Sequence, residues 1–199
     1  IGEEPVHAGI KIVGSHIDSP RLDLKANPVH EQDGIVYFRT HYYGGIKKYQ
    51  WTCIPLALIG VVYTKDGKKV DINIGLKDDD PIFYVSDLLI HMAQDQMKKT
   101  LAEGITGEQL QAIAGTNAEE DLKPKEVFMK MLKDTYGIEE EDFAAAELEL
   151  VPATKSRDVG FDRSLIASYG QDDRVCSYAN LEAILQAKPG VKTQAALLT

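Results

Sequence analysis

The sequence predicts an α/β fold, in which a mixed sheet with helices is interrupted by an inserted β-rich domain with helices of its own. Three observations support this prediction. Strand patterns stand near both ends of the chain, the long middle is β-rich before it becomes helical, and a helix pattern precedes the last strand. We place the core at residues 1–25 and 145–199 and the insertion at residues 26–144, within a chain of 199 residues that is long enough to bury a core.

The first core half contains two predicted strands. Residues 8–14 carry Ile10, Ile12 and Val13, and this apolar run is typical of a buried strand. The second strand is predicted at residues 21–27 from the alternation of apolar and polar side chains.

The insertion begins with strand patterns. Residues 35–40 alternate, and residues 54–64 and 69–74 flank the pair Asp66-Gly67. An Asp-Gly pair between two apolar runs predicts a hairpin, because both positions tolerate a positive φ. We therefore expect two antiparallel strands there.

The second part of the insertion reads as helical. The apolar spacing from Ser86 through Leu88, Leu89 and Met92 predicts one helix. A capping-box pattern from Thr106 to Gln109 predicts another helix start.

A third helix is predicted between Pro124, a favourable first position, and Gly137, a typical helix end. The acidic run at residues 139–142 is interpreted as a solvated loop or a helix start rather than a metal site.

The second core half returns to a strand at residues 146–151, followed by a helix with Tyr178 and Leu181 on one face. The apolar residues at 194–199 indicate a further strand. Because the chain opens without a methionine and stops in a strand pattern, we expect it to be a fragment of a longer protein.

Composition excludes several classes of function. The net charge of −9 argues against a nucleic-acid partner, which usually requires a basic surface. No apolar run reaches the ~20 residues that a membrane helix needs, so we expect no membrane partner. The two cysteines form no disulfide framework, which favours a reducing, cytoplasmic setting.

His16 and Asp18 form the first candidate site. In an extended segment, positions two apart face the same side, so the Asp18 carboxylate can hold the imidazole of His16 toward a metal. The site would follow a strand, where α/β sheets place their ligands. The alternative is a surface histidine that happens to lie near an acid.

Asp172 is the second candidate, because one carboxylate can bridge two cations in a dinuclear hydrolase. The alternative is a helix N-cap, a position that favours aspartate. No glycine-rich phosphate loop occurs, so no nucleotide cofactor is expected. Cys176 is interpreted as a core residue rather than a nucleophile.

Taken together, these motifs resemble the aspartyl aminopeptidase and vacuolar aminopeptidase I family of dinuclear zinc metallopeptidases. The resemblance is spread over most of the chain in the family's order, and residues 93–145 match only loosely. It is carried by GSHIDSPRLDLKANP (14–28), YYGGIKKYQW (42–51), LLIHM (88–92), ELELVPA (147–153) and YGQDDRVCSYANLEAI (169–184).

The resemblance implies roles for particular residues. His16 would be a zinc ligand oriented by Asp18, and Asp172 would bridge two zinc ions, with a cis peptide bond to Asp173. Asp173 stands where the family often has asparagine. His91 would reach the active site of a neighbouring subunit, where it would assist catalysis.

The resemblance also implies a metallopeptidase core with an inserted dimerisation domain, a peptide substrate and a homo-oligomer built from dimers, typically of twelve subunits. Acidic and neutral N-terminal residues stay open as substrates. The family's paired glutamates and remaining metal ligands would follow Thr199, so the chain alone is expected to be inactive and to bind zinc weakly. A non-catalytic oligomerisation module and a dinuclear hydrolase of other specificity stay open as alternatives.

Overall fold

The computed structural model describes all residues from 1 to 199 and shows a mixed α/β protein. The chain divides into two compact units. The terminal unit comprises Ile1–Ser19 and Ser156–Thr199, and the central unit comprises Pro20–Lys155. None of the helices has the length and apolar character needed to cross a lipid bilayer. The assignment of a catalytic core and a dimerisation domain stays a prediction.

The central unit is built around one antiparallel sheet of seven strands that closes on itself. Around the closed sheet the strands follow the order β4, β6, β7, β3, β2 and β8, and β8 pairs with β4 again. Strand β6 pairs with the first two residues of β4, and β5 pairs with its residues 58–63. The strands are β2 (Arg21–Gln32), β3 (Ile35–Tyr43), β4 (Pro55–Tyr63), β5 (Lys69–Ile74), β6 (Phe83–Tyr84), β7 (Ala112–Gly115) and β8 (Ala146–Pro152).

Two tight turns set the register of this sheet. Asp33 and Gly34 join β2 to β3 with φ values of 52° and 78°, the conformation that the right-handed twist of a two-residue hairpin requires. The predicted hairpin at Asp66-Gly67 is confirmed between β4 and β5, although only Gly67 takes a positive φ. The turn at Asp33-Gly34 was not among the sequence predictions.

Aromatic packing fills the interior of the central unit. Phe38 on β3 is 1% exposed, and its ring centroid lies 5.6 Å from that of Phe83, 5.7 Å from that of Phe128 and 6.4 Å from that of Phe143. Phe128 belongs to helix α2 (Pro124–Tyr136), which starts at a proline and ends at Gly137 in a left-handed conformation, as predicted.

Two helix predictions in the central unit are wrong. Residues 86–100 form an irregular segment with turns at residues 90–92 and 94–98, and the only α-helix nearby is the short α1 (Leu101–Gly104). The Asp87 carboxylate accepts hydrogen bonds from the Leu88 amide and the Gln96 side chain, and such local bonds compete with a helix. The capping box at Thr106 is present, but it starts only the 3₁₀ turn Gly107–Gln109 before β7 begins.

The terminal unit contains two small sheets and one long helix. Strand β1 (Ile10–Ser15) runs parallel to β11 (Thr193–Leu198), and β9 (Arg157–Val159) pairs with β10 (Leu165–Ala167). The prediction that the first strand is buried is wrong, because Ile10, Ile12 and Val13 are all exposed. The helix is α3 (Gln171–Gln186).

Candidate metal centre

His16 lies one residue beyond the end of β1, in the terminal unit. Its Nδ1 is 3.1 Å from Asp18 Oδ1 and 3.2 Å from the backbone oxygen of Asp18. An Nδ1–H group that donates to Asp18 leaves Nε2 with a free lone pair on the other side of the ring. This is the tautomer in which an imidazole binds a metal through Nε2.

The same contacts shift the protonation of His16. The hydrogen bond to the backbone oxygen of Asp18 is the main cause that raises the pKa of His16 above its ordinary value of 6.5, with support from the carboxylates of Asp18 and Asp173. The imidazole is thus surrounded by acceptors and negative charge, which favour a bound cation as well as a proton.

Asp172 lies in the first turn of α3, where the chain departs from helical geometry. Asp172 has φ −91° and ψ 110°, and the peptide bond between Asp172 and Asp173 is cis, as the family resemblance implied. The helix N-cap is Gly170, in a left-handed conformation. Asp172 and Asp173 both depart from helical dihedral angles, so the regular part of α3 begins after them. The interpretation of Asp172 as an N-cap therefore stays a prediction beside its role as a ligand.

The structure brings the two predicted ligands together. His16 Nε2 is 3.3 Å from Asp172 Oδ1. Zinc binds imidazole nitrogen and carboxylate oxygen at about 2.0–2.2 Å in a tetrahedron, so two of its donor atoms lie about 3.3–3.4 Å apart. The donor types and their separation fit a zinc ion. The side chains of His16 and Asp172 are 50% and 93% exposed, so further ligands have access to the pair.

Asp173 is a neighbour that sequence reasoning left without a role. Its Oδ2 lies 3.9 Å from His16 Nε2, and its side chain is largely buried. It also accepts a hydrogen bond from Cys176, which raises the pKa of that thiol and keeps it protonated. Cys176 is exposed, so its assignment to the core is wrong. Adjacency to Asp172 was the only sequence signal for Asp173.

His91 lies in the central unit, within the turn at residues 90–92, and its side chain is exposed. Nowhere in the chain do three or more His, Cys, Asp or Glu side chains form a group that could hold a metal ion. His16 and Asp172 approach each other as a pair, and their role as metal ligands stays a prediction.

Comparison with known proteins shows to which family the chain is similar. The chain matches the family described as aminopeptidase I zinc metalloprotease (M18) over residues 1–197. It is 52% identical over 197 residues to a probable M18 family aminopeptidase 1 from Clostridium acetobutylicum. It is 50% identical over 184 residues to the protein of the same name from Thermotoga maritima. The alignments cover 97% and 91% of this chain.

Solved structures agree with the sequence match. The crystal structure of aminopeptidase I from C. acetobutylicum matches 100% of this chain and 44% of its own, at a TM-score of 0.90 and 49% identity. An M18 aminopeptidase from T. maritima matches 96% of this chain and 42% of its own, at a TM-score of 0.88 and 48% identity. A dodecamer of mApe1 from S. cerevisiae, 17% identical at a TM-score of 0.60, shares the fold.

The fold and the sequence matches thus agree on one family. The chain belongs to the aminopeptidase I zinc metalloprotease (M18) family. It spans 42% and 40% of the length of the two curated relatives described above.

Proposed function

We propose that the protein encoded by the complete gene is a zinc-dependent aminopeptidase, which removes N-terminal residues from peptides. One observation carries the proposal. His16 Nε2 and Asp172 Oδ1 lie 3.3 Å apart, at a separation suited to one zinc ion, in a chain of the M18 family.

Each residue of the site has a distinct task. His16 and Asp172 would hold the metal, His16 through Nε2 and Asp172 through the two oxygens of its carboxylate. Asp18 accepts the Nδ1 proton of His16 and so keeps the ligand tautomer. When bound, zinc polarises the scissile carbonyl and lowers the pKa of the attacking water.

Two variants and a matched control test this function in the protein expressed from the complete gene. We expect His16→Ala and Asp172→Ala to lose zinc and at least about 1,000-fold in turnover, since metal activation is worth several kcal/mol. His7→Ala removes an exposed histidine of the same unit and should change neither quantity. Peptides that begin with acidic or neutral residues, assayed side by side, decide the substrate preference.

The outcomes separate the alternatives. If the site variants retain zinc and turnover like His7→Ala, the assignment of the metal pair is wrong. A wild-type protein that holds zinc but cleaves no peptide would favour the non-catalytic oligomerisation module instead.

We also propose that the central unit mediates homodimerisation, and that dimers assemble further, with twelve subunits as the expected number. The support is a segment at residues 88–101 with an unusual number of exposed apolar side chains. They are Leu88, Leu89, Ile90, Met92, Met97 and Leu101. A second copy of the chain would cover them.

His91 lies inside this segment, and we propose that it reaches the metal pocket of the neighbouring subunit and donates a hydrogen bond to the developing oxyanion. His91→Phe should lower turnover by ~10²–10³-fold with unchanged zinc content and mass, since that is the usual loss of one oxyanion donor. Ile90→Asp should reduce the mass measured by light scattering. A decrease in turnover that only follows dissociation would assign His91 to packing.

We propose a cytoplasmic location, because Cys53 and Cys176 are both free and exposed thiols. Cell fractionation with an antibody against the protein tests this, and recovery outside the cytoplasmic fraction would contradict it.

A further inference from the structure

The backbone of His16 is held from two sides within the terminal unit. The Thr199 amide donates to the Ser15 carbonyl at 3.1 Å, and the Ile17 amide donates to the Thr199 carbonyl at 2.6 Å. Since neighbouring residues of an extended chain point their carbonyls in opposite directions, the His16 carbonyl faces away from β11. There it accepts a hydrogen bond of 2.9 Å from Ser177 Oγ of α3.

Ser177 is one member of a chain of three polar side chains. Ser15 Oγ lies 2.9 Å from Ser177 Oγ, and Asn180 Nδ2 donates to Ser15 Oγ at 3.1 Å. A hydroxyl has one hydrogen, and a carbonyl only accepts. The Ser177 hydrogen is therefore used by the His16 carbonyl, so Ser15 must donate to Ser177. The bonds run in one direction, from Asn180 through Ser15 and Ser177 to His16.

These hydrogen-bonded side chains lie between α3 and β1. Ser177 is 4% exposed, and apart from Ser19 it is the only buried side chain of the terminal unit. The large apolar side chains of α3 that are exposed include Val175, Tyr178, Leu181 and Leu185. Aligned hydrogen bonds strengthen one another in a buried setting. Helix α3 carries Asp172 five positions before Ser177, so the same bonds that fix His16 also fix the helix that presents Asp172.

We propose that Ser15, Ser177 and Asn180 are positioning residues, which set the separation between His16 and Asp172. The proposal rests on the proposed function insofar as this separation serves metal binding. These residues touch neither metal nor substrate, and they act through the backbone of His16 and the placement of α3.

The test uses the protein expressed from the complete gene. We expect Ser177→Ala to raise the zinc dissociation constant about 10-fold, at the lower end of the loss caused by removing an outer-sphere partner of a ligand. The visible spectrum of the cobalt-substituted protein should change with it. Asn180→Ala removes the head of the chain at a less buried position, and it should act in the same direction if Ser177→Ala fails to fold.

Ser156→Ala is the matched control. Ser156 and Ser168 form another serine–serine pair of the terminal unit, with their hydroxyl oxygens 2.7 Å apart and exposed. Its removal should leave zinc affinity and the cobalt spectrum unchanged. A merely structural role of Ser177 would lower the melting temperature and leave both metal readouts at the level of Ser156→Ala, which would overturn the proposal.

A metal-free crystal structure of each variant separates this proposal from the proposed function. Wild-type protein that binds no zinc would refute the function alone. The positioning proposal predicts that the His16 Nε2–Asp172 Oδ1 separation of 3.3 Å is kept in the wild type and in Ser156→Ala, and is lost in Ser177→Ala. Retention of that separation in Ser177→Ala would overturn it, whatever the activity.

Discussion

The central and terminal units differ in what they bury. Every large apolar side chain with high burial belongs to the central unit, where a closed sheet surrounds Phe38 and its aromatic neighbours. In the terminal unit the buried side chains are Ser19 and Ser177, and the apolar residues of β1 and most of those of α3 are exposed. The candidate metal pair lies in the terminal unit.

Within these 199 residues, apolar burial stabilises one unit, whereas hydrogen bonds arrange the candidate site in the other. Burial of apolar area stabilises the central unit at about 25 cal/mol per Å². In the terminal unit, the parallel pair β1–β11 and the hydrogen bonds of Ser177 define the local arrangement. A substitution in the aromatic cluster should therefore lower the stability of the central unit without changing the candidate site.

The largest effect is expected from Phe38→Ala. It removes the ring at the centre of the aromatic cluster and leaves a cavity, which should lower the free energy of unfolding by about 3–5 kcal/mol. The protein has a single tryptophan, Trp51, which is buried in the central unit. Its fluorescence during urea denaturation therefore reports on this unit.

The control is Leu185→Ala on α3, where the side chain is 68% exposed. It should shift the Trp51 transition by less than about 0.5 kcal/mol. Equal effects of the two substitutions would mean that the contrast between the units is wrong.

A smaller loss of stability is expected when two glycines of the central unit, Gly60 and Gly67, are compared. A Cβ at Gly60, which has φ +132°, would lie 2.0 Å from the Glu147 oxygen where β4 meets β8. Gly67 has φ +81° with nothing within 4 Å of the added atom. We expect Gly60→Ala to cost about 2–4 kcal/mol, from strain and crowding together, and Gly67→Ala about 1 kcal/mol, from strain alone.

The Trp51 transition measures both glycine variants. Equal losses would show that the close contact between β4 and β8 relaxes without cost.

The smallest effect concerns pH. Partial burial raises the pKa of Glu149 above its ordinary value of 4.5 and outweighs the opposing effect of Arg21, whose Nε is 3.0 Å from Glu149 Oε1. The folded state then holds this proton more tightly than the unfolded state, so the stability that it contributes is lost as the pH rises above 4.5.

Glu149→Gln does not titrate. Relative to wild type, it should therefore gain stability between about pH 4 and about pH 7, by less than about 1 kcal/mol because the side chain is partly solvated. Urea denaturation at both pH values measures this gain. If Glu149→Gln instead loses stability relative to wild type as the pH rises, the attraction of Arg21 outweighs the effect of burial on the pKa of Glu149.

The elements that the sequence predicted correctly are those that depend on residues only a few positions apart. The helix from Pro124 and the hairpin at Gly67 depend on proline and glycine chemistry, which acts within a few residues. The helix expected from Ser86 failed because the Asp87 carboxylate binds the Leu88 amide and the Gln96 side chain, contacts that the apolar spacing does not reveal. The short strands β9 and β10 carried no pattern long enough to detect.

The acidic run at residues 139–142 shows a related limit. It does start a 3₁₀ helix, as one of the two predictions had it, but Asp142 is buried. Its carboxylate accepts the amide hydrogens of Glu139 at 2.8 Å and of Lys65 at 3.0 Å. Lys65 is distant in sequence, so no local pattern could reveal this contact.

The candidate site was predictable where neighbours in sequence are also neighbours in space. The contact between His16 and Asp18 follows from their spacing, whereas the approach of Asp172 depends on how α3 lies against β1. The polar chain through Ser15, Ser177 and Asn180 spans more than 160 positions and has no sequence signature.

We propose that His16 and Asp172 share one zinc ion. The most direct measurement is anomalous X-ray scattering at the zinc edge, from crystals of the protein expressed from the complete gene. The account predicts an anomalous peak about 2.0–2.2 Å from both His16 Nε2 and an oxygen of Asp172. A zinc peak bound elsewhere, with both side chains outside coordination distance of it, would contradict the account.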